Sequence, residues 1–200
     1  MNKKERIEAL LQEKRISYND DTKNSEGNRV GGIYELIQDF FEPHFVVVEI
    51  GSCEGTSTEL FALTCGYVYA IDPWDTSRAP NADIELEMAP ASEAKCRERL
   101  AKYDNVTIIK GFAEERVEDF KDESLDAVYI DGAHDQKSVI QDIDLWLPKI
   151  KDGGVMCGHD WKCPYVSRAV KRKFGPIWQD YKDGSWAVNI LKISDDEENI

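Results

Sequence analysis

The residues able to do chemistry are grouped at the ends of short apolar runs. Gly51-Ser52-Cys53-Glu54-Gly55 follows the run Phe45–Ile50, and Thr56-Ser57-Thr58 opens the next segment. Glycines let a backbone pass close to a ligand, and a helix start offers free N–H groups to an anion. A dinucleotide fingerprint beginning at Gly51 needs glycines where Cys53 and Thr56 stand, so the pyrophosphate cradle of NAD or FAD is missing. A smaller anion, such as an amino-acid carboxylate, still fits; a tight structural turn is the alternative. Asp72 closes the run Tyr67–Ile71 and is placed either to accept two ribose hydroxyls or to cap a helix. Gly111 follows Val106–Ile109, Asp131 follows Leu125–Ile130, and His159-Asp160 lies just beyond Gly154–Cys157. Of the three histidines, His134 and His159 lie near these ends, while His44 precedes the first run and reads as structural.

The elements that must position these residues follow from periodicity. The five runs are short, apolar and not strictly alternating, as expected of strands covered on both faces. Helical patterns separate them at about 56–65, 92–103, 114–119 and 136–148. Steady alternation of strand and helix predicts an open parallel sheet with right-handed crossovers, whose ligands bind outside the carboxyl ends of the strands. The convergence of five segments on one edge is a stronger signal than any single motif. A helix over 164–174 stops at Gly175-Pro176. Ile177–Tyr181 and Ser185–Leu191 then flank Lys182-Asp183-Gly184 as a hairpin, ending the sheet with an antiparallel pair. Before the first strand, residues 3–15 read as a charged amphipathic helix and 17–28 as a polar loop. Gly31-Gly32 leads a helix carrying Ile33, Leu36, Ile37, Phe40 and Phe41, stopped by Pro43. The stretch 75–92, with Pro80 and Pro90, is long for a connection and reads as a lid over the carboxyl edge.

Composition narrows the function classes. A formal net charge of −14, from 39 acidic and 25 basic residues, repels phosphate backbones and disfavours a nucleic-acid substrate. The cluster Arg168, Lys171, Arg172 and Lys173 reads as a solvated helix face. No apolar run reaches the roughly 20 residues of a membrane span, and no signal peptide follows Met1, so a cytoplasmic address without membrane partners is expected. Five cysteines without CxxC spacing argue against both a disulfide framework and a zinc knuckle. The organisation expected is an N-terminal helix and polar loop over 1–28, one α/β domain over 29–193 and an acidic tail over 194–200.

These motifs together carry a resemblance. Val47-Val48-Glu49-Ile50-Gly51-Ser52-Cys53-Glu54-Gly55-Thr56-Ser57-Thr58 resembles motif I of class I S-adenosylmethionine-dependent methyltransferases, and is particularly similar to the E-[IL]-G-x-x-x-G-x-S pattern of the cation-dependent, catechol-type O-methyltransferases. Val68–Trp74 is similar to their second motif. Tyr129-Ile130-Asp131-Gly132-Ala133-His134-Asp135 and Gly153–Trp161 are similar to methyltransferase domain family twenty-four, which itself resembles macrolide-sugar O-methyltransferases and cephalosporin-hydroxylase-like proteins. The resemblance covers about residues 30–192. It implies a Rossmann-like, doubly wound, mostly parallel seven-stranded sheet ending in an antiparallel hairpin, with N-terminal helices.

The resemblance also assigns roles. Glu49, Gly51, Ser52 and Gly55 would line the methionine portion of S-adenosyl-L-methionine, with Ser57 at its carboxylate. Asp72 would hold the ribose, with Trp74 beside it. Phe112, Ala113 and Glu114, after Gly111, would border the adenine, and Asp131 would close the cofactor site. Many relatives carry an acid where Phe112 stands, so the adenine contact here is either apolar stacking or Glu114. Asp131, His159 and Asp160 fall where catechol-type enzymes hold a divalent cation; magnesium comes first, with manganese or iron as rivals because of the imidazole. His134 stands where the pattern carries a lysine base and would take the acceptor's proton, with Asp135 either orienting it or capping the next helix. The partner expected is a small hydroxylated metabolite, and a homodimer is admissible. Two other readings stay open: a hydroxylase-like metal enzyme on the same scaffold, and a non-catalytic cofactor-binding domain. Acceptor identity is expected to reside in the N-terminal helices and the 75–92 segment.

Overall fold

The computed structural model describes residues 5, 8–9, 31–75, 89–176, 181 and 183–192. Of the helix expected over 3–15 only Glu5, Glu8 and Ala9 are described, and they are helical; the polar loop, most of the 75–92 segment, the run 177–180 and the acidic tail lie outside the described residues.

The first described helix, α1 (Gly31–Phe40), turns Ile33, Leu36 and Ile37 inward, and Phe41 follows them into the core. The α/β alternation then runs β1 (Val46–Ile50), α2 (Thr56–Thr64), β2 (Tyr67–Asp72), α3 (Ala89–Leu100), β3 (Val106–Lys110), α4 (Ala113–Arg116), β4 (Leu125–Ile130), α5 (Gln136–Trp146), β5 (Ile150–Gly158), α6 (Pro164–Phe174) and β6 (Trp186–Asn189). Short 3₁₀ turns over Val117–Asp119 and Leu147–Lys149 extend α4 and α5. The helix α3 begins earlier than the periodicity indicates, at Ala89 rather than 92. Pro90 sits in its first turn, where a residue without an N–H costs no intrahelical bond.

The strands form one sheet in the order β3-β2-β1-β4-β5-β6, parallel except for β6, which runs antiparallel to β5. Among the described residues this is six strands, one fewer than the seven expected. β5 is longer than the run Gly154–Cys157. It starts at Ile150 opposite Leu125, with a register shift before Ala127–Val155, and Lys151 Nζ lies 2.7 Å from Asp126 Oδ1 within that shift. Alternate strand residues feed two cores. Val47, Val68, Ala127 and Cys157 face α1 and α2, whereas Val48, Ile71, Val128 and Met156 face the layer of α5 and α6.

The order of connections fixes where a ligand can bind. The chain winds outward from β1 to β3, then crosses back to place β4 on the other side of β1, so the crevice opens at the β1 and β4 carboxyl ends. Register aligns the exits: Ile50 pairs with both Ile71 and Ile130, and Ile130 with Gly158. Gly51, Asp72, Asp131 and His159 therefore leave the sheet in one row. Gly51 has φ +90°, and a β-carbon there would lie 2.1 Å from the Asp131 carbonyl oxygen. Gly51→Ala is expected to cost about 2–4 kcal/mol in urea unfolding, against about 1 kcal/mol for Gly153→Ala, which shares a positive φ but meets nothing within 4 Å. Equal losses for the two would refute this account.

Candidate active site

The loop after β1 is organised around a buried carboxyl. Glu49 is fully buried at the end of β1, and Ser57 Oγ and Thr58 Oγ1 on the first turn of α2 donate to its two oxygens. Burial pushes the Glu49 carboxyl up to about 7, against the opposing pull of those hydroxyls. Ser57, expected at a ligand carboxylate, thus directs its hydroxyl to Glu49, leaving the helix start to offer backbone N–H groups. Ser52 is 2% exposed, and among the described residues its hydroxyl makes no hydrogen bond of normal geometry. Gly55 caps α2 with φ +78° and lies close to Cys96 and Leu100 of α3.

Asp72 ties β2 to this loop. Its Oδ2 accepts the Cys53 N–H at 2.8 Å and its Oδ1 the Trp74 N–H at 2.7 Å. A carboxylate has about four lone-pair sites, so two remain for a ligand's hydroxyls. Trp74 donates Nε1–H to the Cys53 carbonyl at 2.9 Å, and its ring packs with Cys96 and Leu100. One strand further out, Gly111 donates its N–H to the Asp72 carbonyl at 3.1 Å, followed by Phe112 as the N-terminal cap residue of α4. Ala113 is buried in the core, while Phe112 and Glu114 are half-buried. All the residues expected around the nucleoside therefore lie along the β1–β2–β3 half of the edge.

The other half holds the acids and imidazoles. His134 Nε2 lies 2.9 Å from Asp160 Oδ2 and 3.7 Å from Asp131 Oδ1. His159 Nδ1 lies 3.5 Å from Asp160 Oδ1 and 3.8 Å from Asp131 Oδ1. Asp131, His134 and Asp160 each bring one ligand atom within 4.8 Å of the others, a spacing that suits a cation. The tight triangle thus contains His134, with His159, expected in the metal set, flanking both carboxylates. The paired carboxylates of Asp131 and Asp160 hold the His134 imidazole up to about 10. Burial opposes charge on His159, but Asp160 and Asp131 outweigh it and raise that ring as well. Burial raises Asp131, whereas His134 and then His159 hold Asp160 well below the carboxylate range.

Local structure explains these placements. Asp135 is the N-cap of α5: its Oδ1 accepts the N–H groups of Lys137 and Ser138 at 2.9 and 3.1 Å, so it caps the helix rather than orienting His134. Asp160 sits at φ +58°, an uncommon conformation for a residue with a side chain, held by Cys163 N–H on its carbonyl at 2.8 Å. Thr58 and Trp186 escaped sequence reasoning. Thr58 lies beside Ser57 in the first turn after Gly55, a signal available in the order of residues. Trp186, which donates Nε1–H to the His159 carbonyl at 3.0 Å, gives no such signal because the contact spans 27 residues. The arrangement offers a buried acid beside a helix start, and next to it two carboxylates with two imidazoles. It can hold a cationic group on one side and a proton or divalent cation on the other.

Residues 48–161, more than half of the chain, match the family described as a methyltransferase domain. No curated protein matches. Among solved structures, the chain is similar to a precorrin-6y C5,15-methyltransferase from Geobacter metallireducens GS-15, at 18% identity and TM-score 0.56 over 79% of this chain and 74% of that one. It is also similar to the O-methyltransferase TomG from Streptomyces achromogenes, solved in complex with SAM, at 14% identity and TM-score 0.55 over 94% and 87%. An O-methyltransferase from Bacillus cereus in complex with SAH shares 16% identity at TM-score 0.51 over 92% and 87%. At these identities the likeness is one of fold. With that fold, and with the matched segment running from the β1 glycine loop through Asp160, the chain belongs to the methyltransferase domain family.

Proposed function

We propose that the chain transfers the methyl group of S-adenosylmethionine to a hydroxyl oxygen of a small metabolite, assisted by a divalent cation, magnesium or manganese, at the Asp131 and Asp160 carboxylates, which the His159 imidazole flanks. One observation carries this reading: the glycine loop and the Asp131–His134–Asp160 cluster meet across the close Gly51–Asp131 contact. The donor side suits a sulfonium cofactor. Glu49 is buried where a ligand's positive charge would keep it ionised, the Ser52 hydroxyl has no partner of normal geometry among the described residues, and the start of α2 would offer N–H groups to a ligand's carboxylate. Asp72 retains lone pairs for ribose hydroxyls, and Phe112, Ala113 and Glu114 border the base. The neighbours solved with SAM and SAH support this assignment. The net charge of −14 favours a small acceptor over nucleic acid.

On the acceptor side, the donor set of two carboxylates and an imidazole fits an oxygen-seeking cation with positions left open. Such a cation would lower the pKa of the acceptor hydroxyl. His134 Nε2 then takes the hydroxyl proton, which requires a neutral ring. Asp131 and Asp160 alone keep that ring protonated, so the two carboxylates hold either a proton on His134 or a cation, and cation affinity rises with pH. The acceptor oxygen bonds to the methyl carbon in line as the carbon–sulfur bond breaks. The bonding pair stays on sulfur, and the products are a methyl ether and S-adenosylhomocysteine. Alignment of the two reactants across the β1–β4 crevice supplies much of the acceleration.

Calorimetric titration is expected to show binding of S-adenosylmethionine and S-adenosylhomocysteine but not NAD; binding of NAD alone would refute the assignment. In a methyl-release screen across phenols and sugars, chelator is expected to abolish turnover, and His134→Ala to lower kcat by about 10²–10⁴ while leaving cofactor affinity intact. Turnover indifferent to chelator would remove the cation from the mechanism. Affinity for S-adenosylmethionine is expected to rise between about pH 5 and 8 as Glu49 ionises, and Glu49→Gln to flatten that rise. With chelator present, the raised His134 contributes stability that is full below its ordinary value of 6.5 and lost as pH rises to about 10. His134→Ala is expected to remove that decline in Tm, and an unchanged profile would contradict the ion pairing.

A further inference from the structure

Asp183 lies outside both halves of the site, in the turn that leads into β6, yet it joins that turn to the first turn of α1. Its Oδ2 accepts the Ile33 N–H from the first turn of α1 at 3.1 Å, and its Oδ1 accepts the Ser185 N–H at 2.8 Å. A β-carbon on Gly32 would fall 1.8 Å from that Oδ1, so the carboxylate occupies the space that the glycine leaves free. The turn fixed in this way bonds the backbone on both sides of Asp160. Gly184 carbonyl accepts the Trp161 N–H at 2.8 Å, and Trp186 Nε1 donates to the His159 carbonyl at 3.0 Å. A second link to α1 runs from Tyr181 OH to Asp39 Oδ2 at 2.9 Å. Asp160 itself stands at φ +58°, a conformation that persists only where its surroundings hold it.

We propose that Asp183 is a positioning residue for the acceptor half of the site, pinning the 183–186 turn to α1 so that the His159-Asp160-Trp161 backbone presents Asp160 to His134. This rests on the acceptor-side reading of Asp160 given above. The carboxylate acts through the turn, and the turn through two main-chain bonds; outer partners of this kind change the affinity of a site without touching its ligand. The glycine loop lies across β1 and depends on none of these contacts. Loss of the pin is therefore felt at His134 and His159 and not at the cofactor.

The test compares the full-length wild type with Asp183→Ala, Asp183→Asn and Gly32→Ala. With three histidines in the chain, ring C–H signals are assignable by NMR. Those of His134 and His159 are expected to move in Asp183→Ala and in Gly32→Ala, while those of His44 stay in place. Gly32→Ala is the stricter variant, because it keeps the carboxylate charge and only displaces it. Affinity for S-adenosylhomocysteine is expected to stay within about twofold, and affinity for Mn²⁺ alone to fall about tenfold or more. Asp183→Asn, which keeps an oxygen for Ser185 N–H, is expected to recover most of the Mn²⁺ affinity. Unmoved His134 and His159 signals in either Asp183→Ala or Gly32→Ala overturn the proposal, as does a loss of S-adenosylhomocysteine affinity in step with the shifts. If the wild type binds no Mn²⁺, the cation reading falls, and the histidine signals still decide the role of Asp183.

Discussion

The carboxyl ends of β1 and β4 meet with no room for a side chain between them, and the site is built outward from that contact. Gly51 N–H bonds to Ile71 on one side, and Asp131 N–H bonds to Ile50 on the other, at 2.8 Å each. A β-carbon on Gly51 would run into the Asp131 carbonyl. A parallel sheet that reverses its winding between β1 and β4 opens a crevice there, and the glycine lets the two loops share it. The residues expected around the nucleoside lie to the β2 and β3 side, His159 and Asp160 lie to the β5 side, and Asp131, expected at both the cofactor and the cation, stands at the contact itself.

Four acidic residues, Glu49, Asp72, Asp131 and Asp160, stand along this edge, and the structure treats each differently. Glu49 is buried and given two hydroxyls, which leaves it poised near neutrality. Asp72 is given two main-chain N–H groups and serves as a brace between β2 and the glycine loop. Asp131 and Asp160 share their charge with His134 and His159. Burying a carboxylate without a partner is costly, so each arrangement states what its half of the site accepts. Burial raises the Glu49 carboxyl, and the Asp131 and Asp160 carboxylates raise both imidazoles beside them.

The last strand serves the acceptor half in a way a parallel strand could not. Because β6 runs antiparallel to β5, with Trp186 opposite Gly158, the residues just before it lie at the carboxyl edge. The Asp183–Ser185 turn therefore reaches both α1 and the backbone around Asp160. A parallel final strand would deliver its preceding loop to the opposite edge. Trp186 is fully buried, so the bond from its indole to the His159 carbonyl is sheltered from water.

What the order of residues determined by itself is local. Apolar runs bounded by polar exits place β1 to β4 to within a residue or so, because strands covered on both faces need that pattern. Pro164 and the Gly175-Pro176 stop bound α6 for the same kind of reason, a backbone rule that needs no distant partner. The row of Gly51, Asp72, Asp131 and His159 was legible too, since parallel strands put their exits on one edge. Tertiary structure decided what depends on contacts far apart in the chain. β5 starts at Ile150, four residues before the apolar run Gly154–Cys157, because Ile150 pairs with Leu125 on the neighbouring strand. Asp135 had two readings until its oxygens met Lys137 and Ser138. The pairing of His134 with Asp160, and of Gly32 with Asp183, joins residues that no periodicity relates. Residue type supplies the chemistry, and only the folded backbone sets the distances at which it acts.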